Sequence, residues 1–320
     1  MTNYDVFNGD ADGICALVQL RLAEPRDGVL VTGVKRDIDL LRQVPAGAGD
    51  RITVLDVSMD KNRADLDRVL AAGAAVFYVD HHFPGDEPAS HPALTAIINE
   101  APDVCTALLV DSHLRGAFRG WAIVGAFGDN LRKSALGLAK HSGYSEEELT
   151  RLDDLGIYIN YNGYGSNLAD LHFTPEALYR KVSQFRDPLD FIKSGGADFE
   201  KLETGYRQDM KMAADLPPEK ATEKTAVFML PDEPWARRVS GVYSNDLANN
   251  HPDRAHAILT QNKDGTYLVS VRAPLTNKTG AVDLCKQFPT GGGRAAAAGI
   301  NKLPADMLGQ FVDTFSRFYG

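Results

Sequence analysis

An α/β architecture is what this sequence predicts: a parallel sheet with crossover helices in the first part of the chain and a smaller α/β unit at its end. Two observations predict it. Short β-rich apolar runs alternate with stretches of helical spacing, the order that builds parallel sheets. The chain has 320 residues, about two domains' worth at roughly 150 residues each. Tyr4–Phe7 reads as the first strand, and the stretch from Gly13 to Leu22 puts Ile14, Leu17, Val18 and Leu22 on one helical face. Val29–Gly33, Ile52–Val57 and Val76–Val79 read as further strands, separated by helical patterns over Asp37–Val44 and Asn62–Ala72. Ala96–Ile98 adds a strand, Thr106–Leu114 and Trp121–Phe127 read as buried helices, and Ser145–Leu155 and Pro175–Phe185 as outer ones. Ser194-Gly195-Gly196 then breaks the pattern, Asp198–Met212 reads as an exposed helix, and Pro217-Pro218-Glu219-Lys220 has linker chemistry. The register restarts with strands at Thr225–Met229, Ala255–Thr260 and Tyr267–Arg272 and helices near Val242–Asn249, Ala281–Lys286 and Asp306–Phe318. The expected division is a first domain over 1–190, a helical linker over 191–223 and a second domain over 224–320.

Composition narrows the partners. Lys plus Arg number 34 and Asp plus Glu 43, a formal charge of −9. A chain that grips a long duplex through its phosphates carries the opposite balance, so no long nucleic acid is expected. Three cysteines, Cys15, Cys105 and Cys285, lie far apart without a C-x-x-C pair, which argues against a disulfide framework or a thiolate zinc site and for a reducing, cytoplasmic setting. No apolar run approaches the ~18 residues of a membrane span, and no basic-then-apolar leader opens the chain, so no membrane partner is expected.

The chemistry-bearing residues recur at one kind of place. Asn8-Gly9-Asp10-Ala11-Asp12-Gly13 follows the first strand, Asp56 ends the run Ile52–Leu55, Asp80-His81-His82 ends Val76–Val79, and Asp129 follows Gly125–Gly128. Open α/β sheets bind their ligands at the carboxyl ends of the strands. Alone, an Asp-x-Asp-Gly is more often a turn or a helix cap, and a histidine pair more often a packed or solvated one. All four segments in this order change that reading. Their carboxylates would repel one another in one crevice unless cations lay between them, and oxygen donors with a single imidazole suit manganese or magnesium better than structural zinc.

These segments resemble the DHH phosphoesterases, a family named for a triplet that here is Asp80-His81-His82. Asp10-x-Asp12-Gly13, Asp56, the triplet and Gly128-Asp129 match its four N-terminal motifs in order. Ser270-Val271-Arg272 and Gly291-Gly292-Gly293-Arg294, read as a glycine loop opening an alanine-rich helix, are similar to its C-terminal substrate-binding domain. The resemblance implies a parallel-sheet DHH domain joined by the linker to the associated α/β domain, with the active site in the cleft between them. It implies two divalent ions, manganese preferred and magnesium or cobalt as substitutes. Asp10 would hold one ion and Asp12, His81 and Asp129 the other, with Asp56 bridging. Asp80 would be a ligand or an orienting partner, and His82 would face the scissile phosphate, as acid or as hydrogen-bond donor. Arg272, Gly291, Gly292, Gly293 and Arg294 would take a substrate phosphate.

Two departures stand out. Asn8 occupies a position where many relatives carry histidine, and an amide is the weaker manganese ligand, so it either ligates or touches a bound water. Arg294 stands where relatives acting on very short oligonucleotides often carry histidine. Tyr158–Gly165 interleaves aromatics and amides in a segment that suits either base stacking or a packed surface loop. The expected activity is a metal-dependent phosphodiesterase acting on a short nucleotide: a linear dinucleotide such as pGpG, an oligoribonucleotide of a few units, or pAp. The alternatives are an exopolyphosphatase or pyrophosphatase and a non-catalytic nucleotide sensor. A homodimer is compatible with this reading.

Overall fold

A strand covered on both faces tends toward an apolar run; Asn3–Phe7 forms the first strand, β1, with Tyr4, Val6 and Phe7 buried and the charge of Asp5 among them. The computed structural model describes residues 1–140 and 142–320. They divide into two compact units, Met1–Glu203 and Thr204–Gly320.

In the first unit β1 leads into helix α1 (Ala11–Ala23), which Asp10 caps by accepting a hydrogen bond from the Gly13 amide at 3.1 Å. Gly13 is required there: a Cβ would lie 2.3 Å from the Asn8 carbonyl oxygen, so only glycine lets the helix start against the strand end. β2 (Val29–Val31), β3 (Arg51–Leu55), α2 (Arg63–Ala71), β4 (Ala75–Asp80) and β5 (Leu94–Ile98) complete the sheet. All its pairings are parallel, and the order is β2-β1-β3-β4-β5. The chain runs from β1 to one neighbour and returns to the other side, so the loops after β1 and β3 diverge and leave a crevice at the carboxyl ends. Arg21 of α1 pins this region: its guanidinium donates to both Asp5 oxygens at 2.9 and 2.5 Å and to the Thr53 hydroxyl at 2.9 Å, tying α1 to β1 and β3.

Six helices follow: α3 (Thr106–His113), α4 (Arg119–Gly128), α5 (Arg132–Ala139), α6 (Glu146–Gly163), α7 (Pro175–Val182) and α8 (Pro188–Ser194). α4 is buried nearly throughout. It packs on α6, where a Cβ on Gly156 would meet the Val124 carbonyl at 2.4 Å, so the two backbones touch. A further helix, α9 (Ala197–Ala214), contains the boundary between the units.

The second unit adds β6 (Lys220–Ala221), β7 (Thr225–Leu230), α10 (Pro234–Asn250), β8 (Ala255–Gln261), β9 (Tyr267–Arg272), α11 (Ala281–Cys285), β10 (Gly291–Gly293), β11 (Ala297–Leu303) and α12 (Leu308–Tyr319). Its sheet runs β10-β11-β9-β8-β7-β6, parallel only between β7 and β8. Leu259, Val269, Ile300, Phe311 and Phe315 lie at its core.

Three expectations need correction. Asp37–Val44 carries only a 3-10 turn over Leu41–Gln43; the side chain of Asn62 fixes the segment instead, accepting from the Leu41 amide and donating to the Ile38 carbonyl. Tyr158–Gly163 is not a loop but the end of α6, and Tyr158 and Tyr161 are buried in the packing, so neither offers a face to a base. Gly291–Gly293 does not open a helix: it is β10, paired antiparallel with β11, and Ala297 and Ala298 belong to that strand. Tertiary pairing overrode alanine's helix propensity, because the sheet offers these backbone groups partners that an isolated turn of helix cannot.

Candidate metal centre

The loops at the carboxyl ends of the first sheet bring Asp10, Asp12, Asp56, Asp80 and His81 together, all buried. Asp12 lies in the first turn of α1, and its two oxygens accept from the Thr106 and Ala107 amides at 2.7 Å each, at the start of α3. Asp56 follows β3 with φ +57°, a left-handed conformation that a non-glycine residue adopts at a cost of order 1–3 kcal/mol. Such strain persists where the surroundings enforce it; here the Asp56 amide donates to the Val79 carbonyl at 3.1 Å. Asp129 caps the end of α4.

His81 organises the group. Its Nδ1 lies 3.0 Å from the Val104 carbonyl, an acceptor only, so Nδ1 carries the proton and Nε2 presents its lone pair. That Nε2 sits 3.5 Å from Asp56 Oδ1, 3.9 Å from Asp12 Oδ2 and 4.0 Å from Asp129 Oδ2. One imidazole nitrogen facing three carboxylates is the donor set of a divalent cation. The residues present therefore fit one such ion: Asp12, Asp56, His81 and Asp129 would hold it. Among the described residues the set whose ligand atoms all fall within 4.8 Å of one another is Asp56, His81 and His82; Asp12 and Asp129 are placed by their distances to His81. His82 is the weaker candidate ligand of that trio, because its Nδ1 is already bonded to Asp80 Oδ1 at 2.8 Å and its side chain is 37% exposed. Asp80 thus orients His82, and its other oxygen is buried without a hydrogen-bond partner.

Electrostatics bear out the crowding. Burial, with the charges of Asp10 and Asp12, pushes the Asp56 carboxyl well above its usual range, and burial with Asp129 and Asp10 raises Asp12. Asp10 goes the other way: burial would raise it, but the Lys35 ammonium outweighs this. Burial alone would lower the Lys35 ammonium, yet Asp10 and Asp129 hold it well above its ordinary value. For His82 the bond to Asp80 and the charge of Asp56 likewise outweigh burial and raise the imidazole.

Lys35 is the residue that sequence reasoning missed. It follows β2 as Asp10 follows β1 and Asp56 follows β3, so the strand-end rule that located the carboxylates also points to it. Its Nζ lies 2.6 Å from Asp10 Oδ2, 2.9 Å from Asn160 Oδ1 and 3.9 Å from Asp129 Oδ1. Asn8 Nδ2 donates to the Lys35 carbonyl at 3.2 Å.

The remaining expected residues lie in the second unit. Arg272 ends β9, where its Nε donates to Asn245 Oδ1 at 2.9 Å and a terminal nitrogen to Ser270 Oγ at 3.0 Å. Across the ladder it pairs with Ala297 of β11 and His256 of β8. Arg294 is exposed in the turn between β10 and β11, its amide bonded to the Ala297 carbonyl at 2.8 Å. The glycines therefore form an exposed hairpin edge beside Arg294.

No family model and no curated protein matches the sequence. Solved structures do. A manganese-bound exonuclease RecJ superposes with a TM-score of 0.63 at 18% identity, over 99% of this chain and 89% of that one. A RecJ from Thermus thermophilus in complex with Mn2+ gives 0.66 at 18% identity over 99% of this chain, which spans only 52% of that protein. A pGpG-specific phosphodiesterase, PggH from Vibrio cholerae, gives 0.56 at 16% identity over the full length of both chains. With a five-stranded parallel sheet, a second mixed sheet and these likenesses, the chain has the DHH phosphoesterase fold.

Proposed function

We propose that this protein is a divalent-metal-dependent phosphodiesterase that hydrolyses short nucleotides, with linear dinucleotides such as pGpG the first candidates. One observation carries the reading: His81 Nε2, its lone pair fixed by the Val104 carbonyl, faces the buried carboxylates of Asp12 and Asp56 and the partly exposed one of Asp129 at 3.5 to 4.0 Å at the switch point of a parallel sheet. A bound divalent ion supplies a hydroxide nucleophile at neutral pH and neutralises the non-bridging phosphate oxygens. The chain's own groups do the rest. Asp12 and Asp56 are locked by the α3 amides and the β3 turn, so the donor geometry is set before substrate arrives. His82, held through Nδ1 by Asp80, presents Nε2 to donate to the phosphate or to the leaving oxygen.

Three things favour a short substrate. The formal charge of −9 leaves little to hold a distal strand. Arg272, preset by Asn245 and Ser270, offers a guanidinium suited to a phosphate, with the exposed Arg294 as a further donor. PggH, similar in fold over its whole length, is named as pGpG-specific. The test is a panel of pGpG, other dinucleotides, oligoribonucleotides of increasing length, pAp and inorganic polyphosphate, assayed with manganese. Turnover should peak at the shortest nucleotides, and Arg272→Gln should raise KM about tenfold with a smaller change in kcat, the loss of one charge-assisted contact. Cleavage of long single strands with none of the short ones overturns the substrate reading, and activity confined to polyphosphate replaces it.

A further inference from the structure

The second cation position expected from the sequence does not fit a metal ion in this chain. Asp10, the carboxylate expected to hold that ion, accepts from the Gly13 amide through Oδ1, as Asp12 accepts from amides, but its Oδ2 already meets a full positive charge, the Lys35 ammonium at 2.6 Å. Asn8 offers an amide where an imidazole would bind more strongly; its Nδ2 is bonded to the Lys35 carbonyl, which leaves its buried Oδ1, without a hydrogen-bond partner, as the atom it could offer.

We propose that the Lys35 ammonium permanently occupies this second position, so that the centre runs on one divalent ion and one fixed organic cation. The placement of Lys35 is built. Its amide donates to the Gly163 carbonyl at 2.9 Å, its carbonyl is held by Asn8, and its Nζ meets Asp10 and Asn160, with the Tyr164 ring 5.2 Å away. An ammonium carries three protons; Asp10 Oδ2 and Asn160 Oδ1 take two, and the third is left on the side where Asp129 Oδ1 lies at 3.9 Å, beyond hydrogen-bond reach. Asp129 makes the substitution legible. Its Oδ2 lies 4.0 Å from His81 Nε2 and its Oδ1 lies 3.9 Å from Lys35 Nζ, so one carboxylate spans the two positions as it would span two metal ions. An ammonium neutralises one charge where a divalent ion neutralises two, generates no hydroxide and needs no supply from solution. Its role is to hold Asp10 and to face a phosphate oxygen as a point charge.

This inference rests on the metal reading above, and the experiment separates the two. Full-length protein is loaded with manganese, freed of excess, and its manganese counted by elemental analysis, with electron paramagnetic resonance distinguishing an isolated ion from an exchange-coupled pair. Wild type should hold about one ion per chain with an uncoupled spectrum. Lys35→Ala, which frees Asp10 and Asp129, should take up about two and show coupling, more tightly still when combined with Asn8→His. Wild type with a coupled pair overturns the inference, because the ammonium must then leave; so does Lys35→Ala remaining at one ion. Wild type that binds no manganese sinks the metal reading itself, and the inference with it. The wild-type count decides the matter even where a variant does not fold.

Discussion

The two units handle buried charge in opposite ways. In the second, each buried charged group of this kind has its counter-ion: Arg238 meets Asp209 at 2.8 Å and Arg237 meets Asp232. The other buried polar groups there are the hydroxyls of Thr225, Ser240, Ser244, Thr260 and Ser270 and the imidazole of His256. In the first, Asp5 and Arg21 form a matched pair, but a few residues on, Asp10, Asp12, Asp56 and Asp80 are buried with only Lys35 and two imidazoles near them. Buried charge matched residue for residue is scaffold; buried charge in excess of one sign stays folded at a cost, and marks a place awaiting a cation. The tertiary structure thus separates two classes of aspartate that look alike in the sequence.

The largest test of that distinction is Asp56→Asn, which keeps the size and tolerates the left-handed backbone while removing the charge central to the cluster. Turnover should fall by about a thousandfold or more, roughly 4 kcal/mol of transition-state stabilisation, with the circular dichroism spectrum unchanged. Retained activity would mean that the cluster is scaffold after all. Arg21→Ala should do the reverse, leaving Asp5 buried and unpaired and destabilising the first unit by about 3–5 kcal/mol. The chain holds two tryptophans, Trp121 in the first unit and Trp235 in the second. Trp→Phe replacement at either one therefore lets urea unfolding be followed in the other unit by fluorescence.

Metal removal should sharpen the contrast. An ion present at a hundred times its Kd stabilises the fold that binds it by about 2.7 kcal/mol. Chelation should accordingly lower the melting temperature reported by Trp121 by about 5–10 °C and leave that reported by Trp235 in place. Equal shifts in both would place ion binding outside the aspartate cluster. The smallest expected effect belongs to the second unit. Burial, with the positive charges of His251 and Arg254 nearby, depresses His256 from 6.5 to about 4. The unfolded chain takes up this proton near pH 6.5 and the folded unit only near 4, so the contribution is fully present above about 6.5 and is lost as pH falls toward 4. About 2–3 kcal/mol should drain from the Trp235 transition over that window, and His256→Gln should flatten the dependence.

Much of the first sheet was legible because a parallel strand, buried on both faces, writes itself as an apolar run, and the ends of such runs fix where polar residues gather. β1, β3 and β4 and the aspartates after them could be read in this way. Helices α3, α4 and α6 could also be anticipated, although the aromatic end of α6 was misread. The period of Tyr158, Tyr161 and their neighbours does not say whether a mixed polar segment faces solvent or a glycine-rich partner helix. β11 was lost for a different reason: Ala295–Ala298 has local helix propensity, and only its pairing with β9 and β10 makes it extended.

By itself the sequence determined the alternation of β1, β3 and β4 with α1 and α2, the identity of the carboxylates and imidazoles, and the positions of those groups at strand ends, because each follows from local periodicity and chain order. Which of those carboxylates carry surplus charge was decided only by the tertiary structure, which also turned His81 Nε2 inward through Val104 and set an ammonium from after β2 against a carboxylate from after β1. Contacts between segments distant in the chain leave no periodic trace in it, and it is their distances that distinguish a paired charge from an unpaired one.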